Sequence, residues 1–190
     1  MANTNGPFGL RPVRGKGGDF QQNLYGILPG TTAIYIGDPV KKDTAGTAKG
    51  LSTCTIAAAT GAVLGPVISI FDSSGFPVSY YPAGNATGYT CMVADNPDQL
   101  FIMREDSDTS TLAQADMGLN VNMVAGTGDT TTGLSGWAID SSSKATDATH
   151  QLRLIEFHQT PDNVFLDDYG VYVVKINNHA NSTGTGAVGV

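Results

Sequence analysis

The carboxylates are the first residues that could do chemistry. Asp106 and Asp108 lie in the run REDSDTS, which resembles a fragment of a calcium-binding loop. The glycine and the distal glutamate of an EF-hand are missing, so the run predicts ordinary turn carboxylates. Asp167 and Asp168 are adjacent, and adjacent side chains point apart, whereas acid–base pairs face each other across a site. We therefore expect turns at both places.

The histidines show no metal-ligand spacing. His150, His158 and His179 fall in different predicted loops, with no H-x-x-x-H pair and no neighbouring cysteine pair. The chain also contains no G-x-S-x-G elbow and no phosphate-binding P-loop. The sequence predicts no catalytic residue, no metal and no cofactor, and therefore a protein that is not an enzyme. A β-sandwich hydrolase is the enzymatic alternative, and hydrolysis of a glycan panel would reveal it.

The role of three tyrosines has two possible interpretations. Tyr80, Tyr81 and Tyr89 could form a face on which sugar rings stack. Aromatic residues in strands more often belong to a core or an interface, which is the interpretation we prefer.

The two cysteines, Cys54 and Cys91, each lie in an apolar run, LSTCTIAAA and YTCMVA. No apolar signal segment is present at the N-terminus, so we expect a product made in the cytoplasm. Disulfides are rare there, and the sequence predicts two buried, reduced thiols.

The N-terminal segment MANTNGPFGLRPVR combines prolines and glycines with three apolar side chains, Phe8, Leu10 and Val13. Proline and glycine disfavour a helix or a central strand. The segment predicts an extended arm that reaches away from the body and lies on another surface; a disordered tail is the alternative. Its candidate contact residues are Phe8, Leu10, Arg11, Val13 and Arg14.

Charge is distributed unevenly along the chain. The first 18 residues carry three basic and no acidic side chains, and the remainder has seven basic and seventeen acidic ones. An acidic body repels phosphate, which excludes a nucleic-acid partner. No apolar run approaches the length that spans a bilayer, so we expect no membrane partner.

The composition favours short strands joined by turns, because glycine, threonine, serine and asparagine are abundant and charged residues make up only 14%. It predicts a mainly β fold with a β-barrel or jelly-roll-like core. We expect an N-terminal arm over 1–23, a β-rich domain over 24–179 and a flexible tail over 180–190. Strands are predicted within 31–42, 51–58, 62–71, 78–81, 89–94, 100–104, 119–124, 152–157 and 171–176, with a short strand at Trp137.

The segments between the strands also carry signals. The turn sequence DNPDQ predicts that 89–94 and 100–104 face each other in a hairpin or tight connection. Residues 110–118 predict one helical turn, with a cap at Ser110–Thr111 and a stop at Gly118. Polar composition predicts exposed loops at 125–133 and 140–149.

The opening ANTNGPFGLRPVR resembles the start of head decoration, or cement, proteins of tailed bacteriophages. Further motifs of that kind follow in order through the chain, as GDPVK, AVLGPV, YYPAG, VADNPDQLFIMRE, LAQADMGLNVN, LRLIEF and INNH. The resemblance implies a structural virion protein on the capsid exterior that binds the major capsid protein and stabilises the shell against DNA pressure. Because its strand edges are poorly protected, we also expect the chain to form a homodimer or a homotrimer. A tail or fibre module that binds host glycans is the alternative.

Overall fold

The structure is a computed structural model that describes residues 3–14, 21–30, 32–44, 50–84, 86–108, 110–182 and 186–190. It is mainly β with a closed five-strand barrel, as the composition predicts. The strands are β1 (Arg11–Arg14), β2 (Asn23–Ile27), β3 (Ile34–Tyr35), β4 (Pro39–Asp43), β5 (Thr53–Ile56), β6 (Gly65–Phe71), β7 (Pro77–Val78), β8 (Tyr80–Tyr81), β9 (Thr90–Val93), β10 (Leu100–Arg104), β11 (Asn120–Val124), β12 (Ala138–Ala145), β13 (Leu152–Phe157) and β14 (Val171–Ile176).

The barrel contains β4, β5, β2, β9 and β6, and β7 is attached outside β6. It closes where β4 meets β6, with Val40 opposite Gly65. β2 and β5 run parallel, and the other strand pairs of the barrel are antiparallel. Its interior is a cluster of buried apolar side chains that includes Val40, Leu64 and Tyr81.

The second large sheet has the order β1–β10–β14–β13–β11–β12 and is antiparallel throughout. Alternation explains its buried face, because side chains along a strand point to opposite faces in turn. Leu152 and Leu154 are buried while Arg153 is not. These leucines join a second apolar cluster with Phe101 and Trp137. The predicted burial of the Trp137 indole is confirmed, although β12 begins one residue later.

The predicted pairing across DNPDQ is wrong. β9 lies in the barrel and β10 in the second sheet, so the two strands do not face each other. The predicted turn chemistry is present, because Oδ1 of Asn96 accepts a hydrogen bond from the Asp98 amide at 2.9 Å. The pentapeptide is a tight connection between the two sheets.

The predicted loop at 140–149 is also wrong over its first half, where β12 runs to Ala145. β12 is an edge strand with polar side chains, and such a strand lacks the apolar alternation that identifies a buried one. Its pairing register with β11 shifts between Asn120 and Asn122, where the extra residues lie in β12. The Ser143 hydroxyl accepts the Asn122 amide hydrogen there at 2.8 Å.

The predicted helical turn is a 3-10 helix over Gln114–Asp116, shorter than the 110–118 expected. Its N-cap residue is Ala113, whose amide donates to Asp116 Oδ2 at 2.8 Å, so Ser110–Thr111 is not the cap. Gly118 ends the turn with φ 95°. No helix among the described residues is long and apolar enough to cross a membrane.

Candidate functional site

The N-terminal segment forms β1 at the edge of the second sheet. β1 pairs antiparallel with β10, with Arg11 opposite Ile102 and a bulge between Pro12 and Arg14. Just before β1 the chain makes a close backbone contact, in which the Leu10 amide donates to the Gly37 carbonyl at 2.9 Å. Gly9 has φ 69°, and a Cβ there would lie 2.2 Å from the Gly37 oxygen. This approach needs glycine at position 9.

The segment is extended, as predicted, but the expectation that it reaches away from the body is wrong for residues 7–14. Leu10 is fully buried in the apolar cluster of the second sheet, and Phe8 is only 9% exposed. Both side chains therefore pack into their own chain instead of anchoring the arm elsewhere. The sequence pattern correctly identified apolar anchors, but it could not distinguish this chain's own surface from a neighbour's.

Phe8 is flanked by two guanidinium groups. Cζ of Arg11 lies 4.5 Å and Cζ of Arg104 5.8 Å from the centre of the Phe8 ring. Arg104 also donates to the Thr4 carbonyl, and burial lowers the pKa of its guanidinium. Cations over an aromatic ring are attracted to it. The stack holds two positive charges beside β1.

The segment is also tied to the loop before β14. Asn3 and Val164 exchange two hydrogen bonds: the Asn3 side chain donates to the Val164 carbonyl at 3.0 Å and accepts its amide hydrogen at 2.7 Å. Nearby in the loop, Leu166 has φ 62° and is 57% exposed. Positive φ is costly for a leucine, and such residues cluster at functional surfaces.

We define the arm face as the exposed residues of β1, Arg11 and Val13, together with Val164 and Leu166 of the loop to which Asn3 is hydrogen-bonded. Val13 is 42% and Val164 38% exposed, and Arg11 is exposed. Large apolar side chains and a cation thus stand on the outside of an otherwise acidic body. Of the five predicted contact residues, Arg11 and Val13 lie on this surface. Arg14 ends β1, and its side chain lies outside the described part of the structure.

Asp140 lies beside the predicted turn carboxylates Asp106 and Asp108, a proximity that no sequence pattern predicted. Carboxylate oxygens of the three residues lie within 4.8 Å of one another. Among the described residues, this is the one group of three or more Asp, Glu, His or Cys side chains close enough to hold a metal ion together. The Ser141 hydroxyl lies 3.1 Å from Asp106 Oδ1 and 3.0 Å from Asp108 Oδ1. Burial raises the pKa of Asp106. Oxygen donors of this kind suit a hard cation, but two of them are engaged by the serine.

The tyrosines do not form the stacking face that the glycan alternative needs. Tyr81 is fully buried in the barrel core, and Tyr89 packs edge-on against it with ring centres 5.3 Å apart. Tyr80 instead stacks on Tyr35, with ring centres 5.3 Å apart and planes 15° from parallel. The preferred interpretation of Tyr81 as a core residue is confirmed.

Cys54 and Cys91 are fully buried inside the barrel, as predicted. They are free thiols whose sulfurs lie 3.5 Å apart. The pKa of the Cys91 thiol is raised well above its ordinary value. The hydrogen bond with Cys54 is the largest cause, and burial of the thiol is the second. This environment suppresses the thiolate, which is the reactive form.

A cavity of about 450 Å³ lies between the barrel and the loop that follows β11. Buried Asp38 and Trp137 line it, together with Tyr35 and a run of alanines that continues β5. No local sequence pattern predicts this cavity, because its walls come from segments far apart in the chain.

No protein-family model, curated protein or solved structure matches this chain.

Proposed function

We propose that this protein is a structural virion component that binds the outer surface of a tailed-phage capsid and cements neighbouring subunits of the major capsid protein. The observation that carries the proposal is the arm face, on which Arg11 and Val13 stand exposed on an edge strand. The ordered series of phage-like motifs along the sequence supports the same role.

The arm face suits protein docking for three reasons. β1 has a ladder partner on one side, β10, and none on the other among the described residues, so that edge is available to an extended strand. Exposed Val13 and Leu166 add apolar contacts. The Arg11 guanidinium, held over Phe8, is already ordered and loses little freedom when it pairs with a carboxylate.

Cementing follows from mass action. A protein that binds the assembled shell more tightly than separated subunits stabilises the shell by the difference. When one copy contacts two capsid subunits, the second contact is intramolecular and gains from a high effective concentration. Association of the copies as dimers or trimers on the shell would multiply this effect.

Copy number and position in the virion test the proposal. Cryo-microscopy of a virion containing this chain should show hundreds of copies on the outer shell lattice, touching the major capsid protein. A dozen or fewer copies on the tail would overturn it and favour the tail or fibre alternative. Isolated copies on the shell, without a sister contact, would overturn only the dimer or trimer.

A binding assay tests the surface. The double variant R11E/V13S should lose at least about tenfold in affinity for undecorated shells, since apolar area and a cation are removed together. The matched control is Phe76→Ser, which removes an exposed apolar side chain from the turn between β6 and β7. Equal binding by R11E/V13S and the wild type would contradict the assignment of the arm face.

A further inference from the structure

Asp38, one of the residues that line the cavity, carries an unmatched hydrogen-bond acceptor. Asp38 is 2% exposed, and its Oδ2 accepts the Tyr35 amide hydrogen at 2.8 Å. Its Oδ1 is buried and has no hydrogen-bond partner. A buried carboxylate oxygen without a donor costs free energy, so natural proteins satisfy most such groups. This oxygen belongs to a residue that lines an open cavity.

Burial raises the pKa of Asp38 to about 6, and the Ser135 hydroxyl and the Tyr35 amide act in the opposite direction. The carboxyl group is therefore mainly ionised at neutral pH. The other described walls of the cavity bring no basic side chain to it. The negative charge is thus left for a group that enters from outside.

The cavity walls are closely packed. A Cβ at Gly126 would lie 2.1 Å from the Gly136 carbonyl oxygen, and one at Gly128 would lie 2.3 Å from the Tyr35 ring. The Tyr35 ring is itself stacked on Tyr80. The loop over 125–128 is therefore pressed against both neighbours, and the cavity is formed before any ligand arrives. A preformed site loses less free energy in ordering itself on binding.

We propose that this cavity binds a primary ammonium group on a short aliphatic stem, with the Asp38 carboxylate as the acceptor of its hydrogen bond. Ala57, Ala58 and Ala59 supply an apolar wall for the stem. Tyr35 and Trp137 are aromatic, and aromatic rings are favourable neighbours of a cation. An anion would be repelled by the carboxylate. A divalent metal ion would require several oxygen ligands, whereas the cavity has one carboxylate.

Two sources could supply such a group: a free alkylamine or a lysine side chain of another protein. The probes are therefore n-pentylammonium and N-acetyl-lysine methylamide, with n-pentanol as the neutral control. Trp137 is the chain's single tryptophan, so its fluorescence reports directly on the cavity. Titration to about 10 mM at pH 7.5 covers weak binding.

We expect a saturable change in Trp137 emission with pentylammonium and at least about tenfold weaker binding of pentanol, since a charge-assisted hydrogen bond is lost. Tighter binding of the lysine derivative would identify a protein side chain as the occupant, and tighter binding of pentylammonium a free amine. Equal affinity for pentanol and pentylammonium, or no saturable change with either amine, would overturn the proposal.

Variants separate binding from folding. Asp38→Asn should weaken amine binding about tenfold or more, because it removes the charge and keeps an acceptor for the Tyr35 amide. Ala58→Phe fills the cavity from an exposed position and should abolish binding with the fold retained. Asp98→Asn removes an exposed carboxylate that does not line the cavity, and it should bind normally. Undiminished binding by folded Ala58→Phe would overturn the proposal even if Asp38→Asn failed to fold.

Discussion

The Tyr25 phenol donates a 2.6 Å hydrogen bond to Oδ2 of Asp95, and both residues are buried. Tyr25 lies in β2 of the barrel, and Asp95 follows β9 at the point where the chain leaves for the second sheet. The Asn23 side chain donates to the same carboxylate at 2.9 Å. This bonding fixes the start of the connection to β10.

Tyr25→Phe should therefore lower the free energy of unfolding by about 2 kcal/mol, because a buried carboxylate loses a donor. Urea denaturation at pH 7 measures the change. The control, Tyr80→Phe, alters a partly exposed tyrosine that packs through its ring on Tyr35 and should shift stability far less. Equal effects of the two substitutions would contradict a special role for the Asp95 bond.

Leu10→Ala should destabilise the protein by about 3 kcal/mol, since it opens a cavity in a fully buried site. Val13→Ala, three residues later and exposed, should stay within about 0.5 kcal/mol of the wild type. Urea midpoints of both variants test whether β1 belongs to the body. An unchanged midpoint for Leu10→Ala would mean that the segment is not part of the folded core.

The raised pKa of Glu105 predicts that the free energy of unfolding decreases as pH rises. Burial raises its pKa from 4.5 to about 7, against hydrogen bonds from the Gly170 and Leu112 amides. Between these values the folded state keeps a proton that the unfolded state has released, so rising pH favours unfolding. The contribution of Glu105 to the free energy of unfolding is fully present below about pH 4.5, and about 3 kcal/mol of it is lost by about pH 7.

Glu105→Gln removes this proton and should flatten the decline in unfolding free energy between pH 5 and 7.5. Asp38, whose pKa is also raised, contributes a slope of the same sign in both proteins and cancels in the comparison. A wild-type slope in Glu105→Gln would refute the assignment.

Cys54 and Cys91 should react with a thiol reagent only after unfolding, since both are fully buried and the pKa of Cys91 is raised. Ellman's reagent should detect two thiols in denaturant and none within minutes in buffer. Rapid labelling of the native protein, or an intact disulfide by mass spectrometry, would contradict this prediction.

Sequence reasoning worked where one physical signal dominated. β10, β13 and β14 were predicted to the residue. β13 has alternating apolar residues, and β10 and β14 are short, mostly apolar runs, and both patterns identify strands. It failed at β12, whose polar edge has no such pattern, and at the β9–β10 connection, because turn chemistry does not specify which sheet the next strand joins. β2 was not predicted as a strand. The neighbours of Asp38 and Asp140 come from segments that are distant in the chain and that the fold brings together. Local sequence patterns carry no information about such contacts.

The antiparallel attachment of β1 to β10 also has a mechanical consequence. Tension along β1 loads its ladder hydrogen bonds together in shear, whereas tension across the strand peels them away one after another. Leu10, buried immediately before β1, acts as a further anchor in either case. A load that enters through the arm is therefore resisted best along the strand axis, so the direction of pull determines how firmly this segment holds.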